Sequence, residues 1–461
     1  MANEIFVPAD FPTISAAVAA ANQFDTIRVA PGIYNETVIV NKTIQLHGAQ
    51  SGVDARTRTG SLGSESIIIG SGVSGAVQLV NDNVVVDGFT IANNSAGPGI
   101  GTTNGFSGYW VFNNIVQNNV FGLYINSNGL TESQVKQNVF HNNNQPGASS
   151  GNGIYSDAGV QNLFIESNLF TGSHASASII MIGSLALPAA NIIMSRNKMN
   201  MDNSIVLFNT TNVKITNNTI LGALGSSIFI GGGTTRTEIE SNILHNSNFN
   251  GISVNDFVGA ENTNIRAKLN SIQGNAVAGL NIAAGSYDTT PPNLRLDATN
   301  NWWGSSSGPF PIGTGDAVID PDGVAEITPF LTADPLALPG QVFSTGPIQR
   351  NGSNAQTIIV DILNNDPINP AVIEILGFFM GTAGGKTPYV HELFSLAPST
   401  KIQKTYFVSA FEEYEFQFGI TDTDGVQISI WPRDANGNLL PTQRVLSSEL
   451  QQINTLTPLV P

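Results

Sequence analysis

Between residues 109 and 303 the chain repeats one short pattern eight times: apolar, any, apolar, any, any, Asn, any, apolar. The Asn positions are Asn114, Asn138, Asn168, Asn197, Asn218, Asn242, Asn270 and Asn301, so successive copies lie 24, 30, 29, 21, 24, 28 and 31 residues apart. A motif recurring every roughly 20 to 50 residues marks stacked supersecondary units, each too small to bury its own apolar face. Five residues before each Asn stand Tyr109, Ser133, Leu163, Ile192, Val213, Thr237, Ile265 and Leu296. Three before stand Val111, Val135, Ile165, Met194, Ile215, Ile239, Ala267 and Ala298, and two after stand Val116, Phe140, Phe170, Met199, Ile220, Leu244, Ile272 and Trp303. The first two columns are two residues apart, which places them on one face of a strand. Asn suits the bend between strands, because it tolerates the left-handed backbone region and bonds its own backbone. Stacked Asn side chains also support a hydrogen-bond ladder along such a bend. A further strand follows in each coil as [Gly/Ser]-[Ile/Leu]-x-apolar, beginning at Gly122, Gly153, Ser178, Ser204, Ser227, Gly251 and Gly279. An Asn-rich low-complexity tract does not hold three apolar columns in register, so the pattern predicts a β-solenoid.

The start of the chain agrees. Phe11 to Ala21 reads as a short amphipathic helix with Pro12 near its start, followed by strands at Asp25–Val29, Gly32–Tyr34, Thr37–Val40 and Thr43–Leu46. A helix over the first coil shields the open end of a solenoid from edge pairing. An early copy of the motif, Val86-Asp87-Gly88-Phe89-Thr90-Ile91, has Phe89 where the Asn would stand. This opening, with Asn300-Asn301-Trp302-Trp303-Gly304-Ser305 at the far end, resembles the cap and closing coil of the pectate-lyase-like parallel β-helix superfamily, over about residues 5 to 310. The resemblance implies a right-handed parallel β-helix. It leaves activity open, because lyases, hydrolases, epimerases, phage proteins and binding proteins share that fold.

Composition changes at Pro329 to Gly340, which reads as a linker. Beyond it, Thr357–Leu363, Ala371–Leu376, Thr405–Val408, Tyr414–Ile420 and Val426–Trp431 alternate as strands, separated by turn signals at Asn364-Asn365-Asp366-Pro367 and Asp422-Thr423-Asp424-Gly425. The expected architecture is all-β: a right-handed parallel β-helix over 1–328 with an N-terminal cap in about the first 50 residues, a linker at 329–341, and a small antiparallel β-sandwich over 342–461. The features Val360 to Asn365, Gln427 to Trp431 and Arg444 to Leu450 make this second part similar to C-terminal modules of surface and coat proteins of spore-forming bacteria. That resemblance implies a cell or spore surface location. Met1 to Ile5 carries neither the basic start nor the apolar stretch of a secretion signal, which fits a route without one.

Charge narrows the partners. The net charge of −16 argues against nucleic acid and anionic membranes, since phosphate binding needs clustered Lys and Arg. No apolar run reaches the length of a membrane span. Cysteine is absent, which excludes disulfides, thiolate metal sites and a cysteine nucleophile. Charged residues are only 11%, so their placement is informative.

Lyases of the resembled superfamily gather carboxylates around calcium beside an Arg or Lys base, and its hydrolases gather two or three Asp. Here Lys214, Glu238, Arg266 and Asp297 share the position four before the Asn, and Lys136, Glu166, Glu240 and Lys268 the position two before. Both positions face outward, so opposite signs alternate along the coils as a structural ladder requires. His141 and His245 share a register but lie four coils apart, and His174 reads as a solvated turn histidine. Asp316, Asp320, Asp322 and Glu326 form an acidic stretch that reads as a solvated loop, with calcium binding as the alternative, so no cofactor is expected. No catalytic set is assembled, so the sequence leans against an enzyme.

One outward column is apolar: Tyr124, Tyr155, Ile180, Val206 and Phe229, ahead of Ser253 and Asn281. Exposed stripes of this kind mark contact surfaces, unless a loop such as Gln145 to Asn152 or Ser184 to Ala190 covers them. The expectation is a non-enzymatic surface or spore-coat protein that contacts protein partners of a layer, copies of itself, or a glycan through this stripe. The alternative is a polysaccharide lyase, a glycoside hydrolase or a glycan-binding protein.

Overall fold

The computed structural model describes residues 2–58, 63–290, 294–336, 341–350, 354–365, 371–380, 385–397, 399–420, 425–453, 456 and 457. The chain divides into two compact units, 1–336 and 337–461.

The first unit is a parallel β-helix whose three sheets, here A, B and C, hold 13, 10 and 12 strands. One coil runs through Ser133–Lys136 in sheet A, Val139–His141 in sheet B and Asn152–Ser156 in sheet C. Strand period sets what each coil buries. In sheet A, Val111, Val135, Ile165, Met194, Ile215, Ile239 and Ala267 pair in register and point inward, none more than 1% exposed. In sheet B, Val116, Phe140, Phe170, Met199, Ile220, Leu244 and Ile272 do the same, with Phe140 stacked on Phe170.

The bends explain the repeated Asn. The residue before each ladder Asn is left-handed, with φ of 53° at Asn113, 57° at Gln137, Ser167, Asn217 and Asn300, 54° at Arg196, 58° at Ser241 and 56° at Leu269. That single step turns the chain from sheet A to sheet B, and the Asn behind it points into the bend. Asn197, for example, donates both its backbone N–H and its Nδ2 to Asn218 Oδ1, at 3.0 Å each, and Nδ2 also donates to Ile165 O. The same arrangement runs unbroken from Asn114 to Asn301, and at its start Phe89 N donates to Asn114 Oδ1. Every amide that the bend removes from the sheets is thereby paired. Leu269 is the one aliphatic member of the left-handed column and is 39% exposed. Leu269→Asn should stabilise the protein by about 0.5–1 kcal/mol, read as a higher urea midpoint, because Asn relieves the left-handed cost at little loss of packing.

At Gly122 and Gly153, near the start of their sheet C strands, the choice of glycine has a steric cause. A Cβ on Gly122 would lie 2.3 Å from Gly153 O in the next coil, and one on Gly153 2.5 Å from Ser178 O.

The capping helix α1 spans Ile14–Ala20, with Thr13 as N-cap accepting from Ala16 N. It is shorter than the expected Phe11 to Ala21, because Pro12 precedes the cap instead of occupying the first turn. Glu36 accepts from Ile14 N and Ser15 N, and Lys42 Nζ donates to the carbonyls of Val18, Ala19 and Ala21. A carboxylate at the N-terminus and an ammonium at the C-terminus both match the helix dipole. At the far end, Ser271 Oγ donates to Asp334 Oδ2 at 2.7 Å and lies 2.7 Å from His245 Nε2. Burial pushes the His245 imidazole down to about 4. The unfolded chain protonates near pH 6.5, so this stability is complete above that pH and is lost as pH falls from about 6.5 to 4. The parent should lose up to about 3 kcal/mol across that window, and His245→Gln should flatten the decline in urea melts.

The second unit contains a six-stranded and a three-stranded antiparallel sheet facing across one core, which includes Ile358, Val360, Ile362, Ile373, Phe416 and Ile430. The five expected strands occur as Thr357–Asn364, Ala371–Met380, Thr400–Phe407, Glu413–Ile420 and Val426–Arg433. Lys386–Leu396, the edge partner of Ala371–Met380, was not legible as a strand, nor were Gln341–Ser344 and Gln451–Ile453. The expected turns at 366–367 and 422–424, and linker residues 337–340, lie outside the described residues.

Candidate functional site

The outer face of sheet A presents two side-chain columns. The first runs Trp110, Gln134, Phe164, Ile193, Lys214, Glu238, Arg266 and Asp297, and the second Phe112, Lys136, Glu166, Ser195, Thr216, Glu240 and Lys268. The four charges assigned to one outward column from their spacing therefore stand on consecutive coils. Lys214 lies 3.0 Å and Arg266 3.5 Å from Glu238. Asp297 is taken instead by Lys268 of the neighbouring column, at 2.6 Å. Burial pushes the Asp297 carboxyl up, but hydrogen bonds from Lys268 and Thr299 outweigh it and hold the group below the usual carboxylate range. These are surface pairs, worth about 0–1 kcal/mol each.

The first half of the same face was missed. Trp110 is 43% exposed and stacks on Phe112, with centroids 5.9 Å apart. Lys136 Nζ sits 4.7 Å from the Phe164 ring centroid and 3.3 Å from Glu166, whose other oxygen pairs with Arg196. Between this cluster and the charge ladder lies a groove of about 240 Å³. Phe164 and Ile193 line it beside Leu163, Glu132 and Lys214 supply charges, and Asn162, Asn191 and Asn212 supply amides. Those three Asn are again left-handed, at 53°, 57° and 55°, where the chain enters sheet A. The bend thus stacks their amides beside the groove, with Asn212 Nδ2 donating to Asn191 Oδ1. An apolar patch bordered by amides and charges suits a ring with one apolar face and hydroxyls at its rim. The signal was present in the sequence, as the same register four before the Asn, but only its charged half stood out.

The histidines do not assemble a site. His174 is fully buried, which corrects the reading of a solvated turn residue. Its Nδ1 lies 2.9 Å from both oxygens of Asp202, which is equally buried, and its Nε2 lies 3.3 Å from Asn143 Nδ2. The pair extends a second ladder, Asn94, Asn119 and Asn143, that lines the bend from sheet B to sheet C. Burial raises the Asp202 carboxyl, but bonds from His174, Asn203 N and Ser178 Oγ prevail and hold it low. The acidic stretch is spread over separate backbone contacts. Asp316 accepts from Gly274 and Asn275 N–H, Asp320 from Val324 and Ala325, and Asp322 from Gly285. Among the described residues no group of three His, Cys, Asp or Glu is placed to hold a metal.

The apolar column stands in register on the outer face of sheet C, from Tyr124 through Tyr155, Ile180 and Val206 to Phe229. Ile180 and Val206, at 9% exposure each, form a floor against which Tyr155, Ile182, Phe208 and Phe229 pack. Of the two loops named as covers, Ser184 to Ala190 keeps Leu185 and Leu187 exposed, near the backbone of Gly233 and Gly159.

A scan against protein-family models finds no match, and a search of curated proteins finds none. Among solved structures, the A-module of mannuronan C-5 epimerase AlgE6 from Azotobacter vinelandii aligns with a TM-score of 0.50 at 15% identity, over 69% of this chain and 92% of that one. The likeness is one of fold. A periplasmic alginate epimerase aligns at 0.37 and 15% identity, over 66% of this chain and 72% of its own. The enzymatically active domain of bacteriophage CBA120 tailspike protein 4 aligns at 0.24 and 10%, over 91% and 56%.

Proposed function

We propose that this protein binds an extended polysaccharide along the outer face of sheet A. The groove beside Phe164 and Ile193 carries this reading, because it is a concave site on a rigid sheet with an apolar patch and polar walls. Its direction follows from the columns, which continue past the groove on both sides and favour a polymer over a single sugar. Charge supports it further. On or beside this face Lys136, Arg196, Lys214, Arg266 and Lys268 balance Glu132, Glu166, Glu238, Glu240 and Asp297, although the whole chain carries −16. A uronate polymer therefore meets no net repulsion here. The Azotobacter module that shares the fold is named for a polysaccharide substrate, which favours a glycan over a coat lattice as the partner. Affinity electrophoresis of the intact protein in gels of polymannuronate, polygalacturonate and galactomannan tests the proposal. Retardation by at least one of the two polyuronates is expected, and free migration in both would refute it.

A further inference from the structure

We propose that the outer face of sheet C is a second, separate binding face, for a neutral hexopyranose polymer. The rings of Tyr124 and Tyr155 lie on adjacent coils, 5.9 Å apart and 23° from parallel, and Phe121 packs edge-on against both. Their hydroxyls donate to the two oxygens of Asp157, at 2.6 and 2.8 Å, so the carboxylate is fixed at the rim of an apolar surface. A carboxylate has about four acceptor sites, so Asp157 keeps lone pairs for the vicinal hydroxyls of a sugar ring. Further along the same face, Phe208 sits 6.0 Å from Phe229 and 6.1 Å from Phe257, and Phe257 is 77% exposed. Coils are spaced by about 4.8 Å, close to the length of one pyranose, so successive rings of a linear chain meet successive coils.

Charge selects the class of ligand. In the column from Tyr124 to Asn281 and the neighbouring one through Asp157, Ile182 and Phe208 there is no Lys or Arg, and Asp157 carries the one formal charge. A uronate polymer would meet an uncompensated carboxylate, whereas a neutral one meets stacking surfaces and an acceptor. This is the opposite of the balanced charge on sheet A, so the two faces separate in one experiment. Affinity electrophoresis in mixed-linkage β-glucan, galactomannan, chitosan and polygalacturonate is run on the parent, a Tyr124→Ala/Phe257→Ala double variant, Asp157→Asn and Phe164→Ala, each checked by thermal melting. The expected result is at least tenfold weaker binding of a neutral polymer by the double variant, weaker binding by Asp157→Asn, and no change with Phe164→Ala. The inference is overturned if neither neutral polymer retards the parent, if chitosan alone does, or if the double variant binds like the parent. Loss with Phe164→Ala alone would also overturn it, by placing neutral glycans on sheet A.

Discussion

Asp202→Ala should cost about 3–5 kcal/mol, because it leaves several buried donors without an acceptor and opens a cavity. The Asn143 amide explains why. Its Oδ1 is occupied by Asn119, so its Nδ2 faces both Val116 O and His174 Nε2. The imidazole therefore accepts at Nε2 and donates from Nδ1, and the receiver is Asp202. Ser178 Oγ and Asn203 N complete the carboxylate's partners, at 2.8 Å each. Removing the carboxylate leaves a buried imidazole N–H unpaired and opens a cavity inside the bend. Asp202→Asn keeps an acceptor and should lose about 1–2 kcal/mol. Urea melts of both variants decide it. Equal losses for the two, or a loss under about 1 kcal/mol for the alanine, would mean that the pair is not what holds this bend.

Asn218→Leu should cost about 1–3 kcal/mol for a related reason. Asn218 Oδ1 receives two bonds from Asn197, and its Nδ2 donates to Met194 O, Thr216 O and Asn242 Oδ1. Leucine matches the volume and removes all five bonds, leaving the buried Asn197 N–H of the neighbouring coil without its acceptor, whereas Asn242 Oδ1 keeps the Asn218 backbone N–H. A solenoid propagates such a defect, because each coil contacts only its neighbours. The melting transition should therefore broaden as well as shift, which circular dichroism at several denaturant concentrations reads directly. A sharp, unshifted transition would show the ladder to be dispensable.

The first ladder was legible and the second was not, and the difference is chemical. At the first bend one residue type satisfies the geometry, so Asn recurs from Asn114 to Asn301 and the apolar columns fix its register. At the second bend the equivalent residues are Asn119, Asn143, His174, Asp202, Ala223, Ser247 and Asn275, a mixture in which Asn holds only three of the seven positions. His174 also lies six residues after its Asn where the others lie five, which hid its neighbours in the ladder. The candidate site failed differently. Lys214, Glu238, Arg266 and Asp297 were visible because charge is scarce, whereas Phe164 and Ile193 in the same column pass for core residues until strand pairing turns them outward. In the second unit, Lys386–Leu396 escaped notice because Pro388, His391 and Glu392 interrupt its alternation, although the strand pairs with Ala371–Met380.

The groove on sheet A is proposed to hold a glycan, and the most direct test is the affinity of Phe164→Ala and Lys214→Ala for whichever polyuronate retards the parent. Phe164 lines the groove beside Ile193, and Lys214 is exposed beside Glu238. Neither belongs to an asparagine ladder or to the apolar core. Both variants should melt like the parent. By calorimetric titration Phe164→Ala should bind roughly 10-fold more weakly, the loss of about 1.4 kcal/mol of ring contact. Lys214→Ala should weaken binding less, and by an amount that shrinks as salt is added. Unchanged affinity in both variants, with the fold intact, would contradict the assignment of this face.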